Sequence, residues 1–388
     1  MSLTKSTQTS IMKTYNRLPI TAIKGEGSFL YDENGTEFLD FTSGIATCNL
    51  GHQPESVKKK VTEQLDLLWH CSNLYHIPKQ QELADLLTDK SSFDEVFFCN
   101  SGTEANEAAI KLVRKWSGKD SIVTFTKSFH GRTLGSLSAT AQPNLQEGFG
   151  SMLEGFYYFP YNEFDSLAKI EELKPAAVMF ELVQGEGGVR QADKEWIAQL
   201  VKICQANNIL LVVDEVQTGI GRTGTLFAHE QYDFEPDIMT LAKGLGSGFP
   251  IGAMLAKGSI AKAFGPGAHG STFGGNPLAS SAAVETVKEV SSLLKHVNST
   301  SDYLIKELQH LAEHHSSISE VRGLGLLIGV EVKEAASYVT KLRDKGVLVL
   351  TAGPTVIRIL PPLNVSHQEA NQFLSVLTEV FQVVEEGI

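Results

Sequence analysis

Charged side chains stand where two buried apolar runs of the sequence end. Lys243 follows the run Ile238–Ala242 and enters a glycine-rich loop, and Asp214 and Glu215 follow the run Ile209–Val213. A partly desolvated lysine has a lowered pKa, which favours nucleophilic Schiff-base chemistry. Each feature alone has a structural explanation, because most lysines are surface charges and an acid at a strand end often pairs with an arginine. Their occurrence together at two strand ends favours a catalytic site.

The segment NSGTE, residues 100–104, lies between an apolar run and a helical pattern. A helix N-terminus offers unpaired backbone N–H groups and partial positive charge, which suit a phosphate. Gly102 would let the backbone approach the ligand, and the hydroxyls of Ser101 and Thr103 can donate hydrogen bonds. Ser101 and Glu104 also match a capping box, S-x-x-E, and from this segment alone both interpretations stay open.

Two arginines, Arg132 in FHGR and Arg358 in VIR, stand beside apolar or aromatic residues. A planar guanidinium suits bidentate recognition of a carboxylate. Either arginine alone is more often part of a structural ion pair. Only the surrounding motifs make them candidates for substrate binding.

Two further motifs match known patterns in unfavourable contexts. GIGRTG, residues 219–224, is a formal dinucleotide fingerprint, but no clean helical stripe follows it, and we expect a glycine-rich active-site loop instead. HLAEH, residues 310–314, matches the HxxEH pattern of some zinc peptidases. The apolar stripe of Leu304, Leu308 and Leu311 places the histidines on a solvated face, and no clear third ligand follows. We therefore predict no metal site.

Apolar runs and amphipathic segments alternate through roughly residues 50–285, which predicts an α/β domain with a mainly parallel sheet. The predicted strands are Asp94–Cys99, Ser121–Thr126, Ala176–Leu182, Ile209–Val213, Ile238–Ala242 and Ile251–Ala256. Helices are predicted at Glu104–Trp116 and Lys194–Ala206, and a long one after about residue 285. Strands at 323–333 and 346–360 and a final helix follow. We expect residues 51–285 to form a large domain, and residues 1–50 to join 286–388 in a smaller α+β domain.

Composition and charge exclude several classes of function. The 388 residues carry 33 basic and 45 acidic side chains, a formal net charge of −12, which argues against binding a nucleic-acid backbone by bulk charge. No run of about 18 apolar residues is present, and the N-terminus has no apolar core of a secretory signal. The four cysteines form no CxxC pair, which is typical of reduced thiols. We expect a cytoplasmic protein that acts on small molecules, without a nucleic-acid or membrane partner.

Taken together, the motifs resemble the signatures of the class III (ω-amino) pyridoxal-phosphate aminotransferases. The segments that carry the resemblance, in this order along the chain, are NSGTEANEAA, FHGR, QGEGG, DEVQTGIGRTG, LAKGLGSGFPIGAM and GSTFGGNP. The resemblance implies the fold type I of these enzymes, pyridoxal 5'-phosphate as cofactor and a homodimer. The family commonly reads Glu-Pro before QGEGG, whereas this chain has Glu181-Leu182-Val183, a difference that removes no reacting group.

The resemblance also implies a role for each matching residue. Lys243 would carry the cofactor as a Schiff base and act as general base and acid, and Asp214 would pair with the protonated pyridine nitrogen. These two are the expected catalytic residues. The other cofactor-binding residues implied are Ser101, Gly102, Thr103, Phe129, Glu215, Val216, Gln217 and, from the neighbouring subunit, Thr272.

The resemblance implies a specific contact with the cofactor for several of these residues. Phe129 and Val216 would cover the two faces of the cofactor ring, and Gln217 would reach its phenolic oxygen. Gly102 and Thr103 would seat the phosphate together with Thr272 of the neighbouring subunit, so the active site would be shared across the dimer.

Four residues are implied in substrate binding. Arg132 would bind the substrate α-carboxylate, with Ser271 nearby. Arg358 and Glu186 resemble the switch by which this family takes two kinds of substrate: the arginine clamps the second carboxylate of glutamate, and Glu186 occupies it when the other donor is bound.

The expected reaction transfers the δ-amino group of N2-acetylornithine to 2-oxoglutarate by a ping-pong mechanism in arginine biosynthesis. The products would be N-acetylglutamate 5-semialdehyde and glutamate. Other donors stay open, namely ornithine, succinylornithine, 4-aminobutyrate or an acylated lysine. A further alternative is a glutamate-1-semialdehyde aminomutase, which would need no 2-oxoglutarate.

Overall fold

A computed structural model describes residues 10–385; residues 1–9 and 386–388, which the expected domain ranges include, lie outside the described residues. The strands are β1 (Ala22–Glu26), β2 (Phe29–Asp32), β3 (Glu37–Asp40), β4 (Glu95–Cys99), β5 (Ile122–Phe125), β6 (Phe156–Phe159), β7 (Ala177–Phe180), β8 (Val183–Gln184), β9 (Arg190–Gln191), β10 (Leu210–Asp214), β11 (Ile238–Leu241), β12 (Gly252–Ala256), β13 (Ile318–Leu324), β14 (Leu327–Val332), β15 (Val347–Leu348), β16 (Leu350–Thr351) and β17 (Val356–Ile359).

The helices alternate with these strands through the middle of the chain. They are α1 (Glu55–Leu65), α2 (Pro78–Asp89), α3 (Gly102–Ser117), α4 (Leu134–Ala139), α5 (Pro143–Gln146), α6 (Phe164–Leu173), α7 (Lys194–Asn207), α8 (Gly258–Ala261), α9 (Pro277–His314), α10 (Ala335–Asp344) and α11 (His367–Glu385). Short 3₁₀ turns occupy Ala228–Tyr232 and Lys243–Gly246, and a four-residue turn with positive φ angles occupies Ser43–Ala46.

A seven-stranded sheet forms the centre of the described chain, in the order β4-β12-β11-β10-β7-β5-β6. Its strands are parallel except β12, which runs antiparallel to both of its neighbours. Strands β5, β7, β10, β11 and β12 are buried at every residue, as expected for a sheet covered on both faces. This sheet and its flanking helices confirm the predicted α/β fold class.

The six predicted strands of this sheet are confirmed, and each boundary is within two residues of the observed one. Strand β6 was not predicted. It lies at the edge of the sheet, and its two central tyrosines are exposed. It therefore lacks the continuous burial of β5, β7, β10, β11 and β12.

The long helix α9 begins earlier than predicted, at Pro277 rather than after about residue 285. Asn276 caps it by accepting a hydrogen bond from the N–H of Ala279 at 3.0 Å, and proline is favoured in a first turn. The predicted strand at 323–333 is a hairpin of β13 and β14, because Gly325 turns the chain at a φ of 59°. The expected boundary at residue 285 falls inside α9, and the domain division stays a proposal.

A strand from the N-terminal part of the described chain pairs with one from the C-terminal part. Strand β15 adds in parallel to β3 and completes the sheet β1-β2-β3-β15, while β13, β14, β17 and β16 form a second four-stranded sheet. The N–H of Leu39 donates to Gly346 O at 2.8 Å, and the N–H of Phe41 donates to Leu348 O at 2.9 Å. This pairing places residues of the two parts side by side, and their assignment to one smaller domain stays a proposal.

Arg222 of the GIGRTG loop, which follows β10 of the central sheet, contacts both the N-terminal and the C-terminal parts of the chain. Its guanidinium is fully buried and donates to Leu326 O at 3.0 Å, Pro361 O at 2.6 Å and Asn49 Oδ1 at 2.9 Å. The loop therefore holds segments distant in sequence together rather than lining the active-site cavity described below, contrary to our expectation. No helix in the described range has the length and apolar character needed to cross a membrane.

Candidate active site

A cavity of about 430 Å³ lies at the carboxyl ends of the parallel strands. The strands β7, β10 and β11 are adjacent in the sheet. Glu181 directly follows β7, Asp214 is the last residue of β10, and Lys243 comes two residues after β11. Ligands of open α/β sheets bind at this edge. The sequence-predicted residues that line the cavity are Ser101, Gly102, Thr103, Phe129, Arg132, Glu186, Asp214, Val216, Gln217 and Lys243.

Lys243 stands in the short turn that follows β11. Its backbone has a φ of 40°, in the left-handed region that non-glycine residues seldom adopt, and such strain often occurs at functional sites. The side chain is partly accessible from the cavity but is surrounded by protein atoms. This burial lowers the pKa of Lys243, while the nearby charge of Glu186 opposes the shift. The amino group is therefore a stronger nucleophile near neutral pH than that of a surface lysine.

The carboxylate of Asp214 is held by three donors. Oδ2 accepts from His130 Nδ1 at 2.7 Å and from Asn106 Nδ2 at 2.8 Å, and Oδ1 accepts from the N–H of Val216 at 3.0 Å. Asn106 is itself fixed, since its Oδ1 accepts from Thr240 Oγ1 at 2.7 Å. This buried network fixes the orientation of one negative charge at the cavity wall.

The N-terminus of α3 opens onto the cavity. Ser101 caps it by accepting from the N–H of Glu104 at 3.3 Å, so the capping interpretation applies as well as any ligand role. A Cβ at Gly102 would lie 2.6 Å from Val216 Cγ1, so a glycine is needed for this close approach. The hydroxyl of Thr103 lies 2.5 Å from Ser136 Oγ and 2.9 Å from Thr133 Oγ1. Hydroxyls and free N–H groups at a helix start fit a phosphate.

Glu181 is a buried acid of the cavity to which the sequence analysis gave no role. Its Oε2 accepts from the N–H of Phe129 at 3.0 Å and so holds the residue whose ring faces the cavity. Burial raises the pKa of Glu181 well above its ordinary value, and the charge of Asp214 adds to the shift. The guanidinium of Arg132 lies 5.5 Å from the centre of the Phe129 ring, within cation–π range.

Glu186 and Arg358 form an ion pair beside Gln217. Arg358 Nη1 donates to Glu186 Oε1 at 2.6 Å and to Gln217 Oε1 at 3.4 Å. Burial alone would raise the pKa of Glu186, but the charge of Arg358 and its hydrogen bond hold this pKa below its usual value. The arginine is buried, and its Nε has no hydrogen-bond partner among the described residues.

Four predicted site residues lie outside the cavity lining, and one of them, Arg358, contacts the lining residues Glu186 and Gln217. The carboxylate of Glu215 turns away and accepts from the N–H of Ala228 at 2.6 Å and from His229 Nδ1 at 2.8 Å. Ser271 and Thr272 line a separate surface cleft; Ser271 Oγ bonds Asn100 Nδ2 at 3.2 Å, and Thr272 is exposed. Glu215, Ser271 and Thr272 of one chain are therefore not part of the cavity wall, although Ser271 contacts the lining residue Asn100.

The class-III aminotransferase family model matches residues 10–381. This chain belongs to the class-III aminotransferases. Among the class-III aminotransferases it resembles, the acetylornithine aminotransferase of Oceanobacillus iheyensis is 52% identical over 98% of both chains. That of Listeria innocua is 51% identical over 96% of this chain and 97% of its own.

Solved structures of the class-III aminotransferases superpose over nearly the full length. The ornithine aminotransferase of Toxoplasma gondii has a TM-score of 0.94 at 29% identity and covers 98% of this chain and 94% of its own. The N-acetylornithine aminotransferase of Stenotrophomonas maltophilia has a TM-score of 0.84 at 36% identity, covering 96% and 98%. A second Toxoplasma structure, with a TM-score of 0.94, contains pyridoxal phosphate in partial occupancy at the active site.

Class-III aminotransferases use pyridoxal 5'-phosphate, and the cavity of this member fits that group. A lysine with a lowered pKa faces a fixed carboxylate, and a glycine and hydroxyls stand at a helix N-terminus. The Nε2 atom of buried His130 has no hydrogen-bond partner among the described residues. Each part of pyridoxal phosphate would have a chemically suitable neighbour here. Asp214 suits the pyridine nitrogen, Lys243 suits the aldehyde carbon, and the start of α3 suits the phosphate.

His130, Asn106 and Glu181 are three polar cavity residues to which the sequence analysis assigned no role. His130 and Asn106 stand inside the quoted motifs FHGR and NSGTEAN, so the motifs located them without showing what they bind. Glu181 follows a buried strand, which is the same signal that singled out Asp214. The predicted strand extended to Leu182 and so contained Glu181, whereas the observed strand ends at Phe180.

Proposed function

We propose that the chain transfers the δ-amino group of N2-acetylornithine to 2-oxoglutarate in a ping-pong reaction, releasing N-acetylglutamate 5-semialdehyde and glutamate. The observation that supports this most is that curated acetylornithine aminotransferases are about half identical to it over nearly its whole length. The reaction would belong to arginine biosynthesis in the cytoplasm. The Glu186–Arg358 pair supports the proposal independently, since it suits an enzyme that binds two dissimilar substrates in turn.

Pyridoxal phosphate supplies an electron sink for the carbon that carries the substrate amino group. Lys243 Nζ would hold the cofactor and, once the substrate amine replaces it, take and return the proton at that carbon. Burial lowers its pKa, so the amino group is more readily available as a base than that of a surface lysine. Asp214, fixed by His130 and Asn106, would keep the pyridine nitrogen protonated.

Two arginines would orient the substrates. Arg132, at the cavity wall, would bind the α-carboxylate. The second carboxylate of glutamate would displace Glu186 from Arg358. N2-acetylornithine brings no second carboxylate, so Glu186 would then remain on Arg358 and neutralise its charge. The pair thereby serves both halves of the reaction with one cavity.

A homodimer would complete the site. Thr272 is exposed and outside the cavity of its own chain, as expected for a residue that serves a neighbouring subunit. Large apolar side chains that a dimer could cover are exposed at Phe273, next to Thr272, and at Trp69, Leu74 and Tyr75, whose segment contacts the same loop through a hydrogen bond from Asn73 Nδ2 to Ser271 O at 3.0 Å. The cofactor phosphate would then contact Gly102 and Thr103 of one chain and Thr272 of the other.

The donor can be identified from the visible spectrum of the holoenzyme. We expect the band of the lysine-bound cofactor to disappear with N2-acetylornithine at far lower concentration than with ornithine, and to return with 2-oxoglutarate. A preference for ornithine, succinylornithine, 4-aminobutyrate or an acylated lysine would replace the donor and keep the chemistry. Turnover of glutamate-1-semialdehyde without 2-oxoglutarate would replace the reaction by that of an aminomutase.

Glu186→Gln is expected to separate the two half-reactions. Without the carboxylate, the charge of Arg358 is unpaired in the cavity and favours substrates that bring a second carboxylate. Glu186 is about one-third exposed (32%), so we take the low end of a charged hydrogen bond and expect a shift of about tenfold in the rate ratio towards glutamate. Single-turnover spectra of each half-reaction measure this ratio.

The matched control is Glu320→Gln, which removes an acid from the exposed Arg190–Glu320 pair. It should leave the ratio unchanged. If Glu186→Gln also leaves it unchanged, Glu186 does not act as the switch.

A further inference from the structure

The last turn of α9 carries two histidines and a glutamate whose donor atoms lie close together. One ligand atom of each of His310, Glu313 and His314 lies within 4.8 Å of the other two, and all three residues are exposed. Between residues 10 and 385, no other set of three or more His, Cys, Asp or Glu side chains meets this condition. The histidines are four positions apart, so they share one helix face, and their ring centres are 4.6 Å apart.

The ring of His314 is already oriented for metal binding. Its Nδ1 lies 2.9 Å from the carbonyl oxygen of His310, an acceptor to which Nδ1 can donate, and this contact leaves Nε2 as the ring atom available to a metal ion. Histidines that bind metals usually donate their other ring N–H to a carbonyl or carboxylate in this manner. No hydrogen bond or ion pair with another described residue engages the carboxylate of Glu313, so it is free to serve as a ligand.

We propose that His310, Glu313 and His314 bind one divalent transition-metal ion, such as Zn²⁺ or Ni²⁺, with water at the remaining coordination positions. Two imidazoles and a carboxylate suit these ions, whereas Mg²⁺ and Ca²⁺ prefer oxygen ligands throughout. The site also stands at a helix C-terminus, where the carbonyl groups carry partial negative charge and favour a cation. The sequence analysis sought a third ligand beyond the motif; the fold places Glu313, within it, beside both histidines.

This site is distinct from the catalytic cavity. Helix α9 starts at Pro277, immediately after the loop that holds Ser271 and Thr272, and His310 lies 33 residues further along it. At a rise of about 1.5 Å per residue, about 50 Å of helix separates the site from that loop. None of His310, Glu313 and His314 lines the catalytic cavity. Binding of the ion should therefore be independent of the donor, of 2-oxoglutarate and of the Glu186–Arg358 pair.

Equilibrium dialysis of the holoenzyme against micromolar Zn²⁺ tests the proposal. The wild-type chain should bind one ion more than the His310→Ala/His314→Ala double variant. Each single histidine variant, and Glu313→Gln, should weaken that binding by at least about tenfold. Because the cofactor site can itself bind metal ions, only the difference between wild type and variant is counted, and unchanged aminotransferase activity verifies that the variants are folded.

His367→Ala is the matched control, since His367 is an exposed histidine of α11 whose ring contacts Asn371 rather than a second histidine. It should bind Zn²⁺ as the wild type does. Equal binding by wild type and the double variant overturns the site, and so does displacement of Zn²⁺ by a thousandfold excess of Mg²⁺. Co²⁺ should give visible ligand-field bands in the wild type that the double variant lacks.

Discussion

Lys243→Ala should abolish transamination while leaving the protein folded. General acid–base catalysis alone contributes about 10²–10⁴-fold, and Lys243 is also proposed to hold the cofactor, so kcat should fall by at least about 10⁴-fold. The substitution also removes a lysine whose burial disfavours its charge, so loss of the ammonium group is not expected to unfold the chain. Activity with N2-acetylornithine and 2-oxoglutarate, and the visible spectrum of the cofactor-loaded protein, measure the two effects.

The spectrum separates a failed reaction from a failed fold. Added pyridoxal phosphate should still bind through its phosphate and ring, but without the band of a lysine-bound cofactor. Lys262→Ala, which removes an exposed lysine, should keep both activity and band. Full activity of Lys243→Ala would refute the proposed mechanism as a whole.

Asp214→Asn should be the next most damaging change at the site. Both carboxylate oxygens accept hydrogen bonds, from His130 and Asn106 at Oδ2 and from the N–H of Val216 at Oδ1. An amide NH₂ at either position would face a donor, and the negative charge opposite the pyridine nitrogen would be lost. Loss of such a preorganised charge costs about 10²–10³-fold in kcat, and weaker binding of the cofactor should accompany it.

Measurement of kcat at saturating pyridoxal phosphate, together with the cofactor dissociation constant, tests this prediction. Asp237→Asn is a suitable control, because Asp237 precedes β11 at the opposite end of the sheet and accepts from the N–H of Leu211 at 2.9 Å. It should change stability but not the intrinsic turnover. Wild-type turnover in Asp214→Asn would mean that the charge of this residue is not used in the reaction.

Sequence patterns located most of the site, because ligands of a parallel sheet bind at the carboxyl ends of its buried strands. The runs before Glu181, Asp214 and Lys243 are continuously apolar, which predicts strands buried on both faces. The carboxyl ends of neighbouring parallel strands meet at one edge of the sheet. The motifs then indicated which polar residues at that edge matter, and the family model confirmed the class of enzyme.

The direction in which a side chain points could not be predicted from its motif in the same way. Asp214 and Glu215 are adjacent acids at one strand end, yet one faces the cavity and the other binds the turn that begins at Ala228. Successive side chains of an extended chain point to opposite faces, so only one of the two can reach the cavity. The sequence contains no signal for which one, because the choice depends on the elements packed against each face.

Sequence by itself determined the α/β class and the buried strands, since both depend on residue type and local spacing. The resemblance of its motifs to a known family implied the cofactor chemistry and the two residues proposed to be catalytic. Tertiary structure decided the rest. It paired Arg358 with Glu186 across 172 positions of the chain, placed His130 and Asn106 on Asp214, and joined β15 to β3. These contacts depend on how elements distant in sequence pack together, and no local pattern of residues encodes that packing.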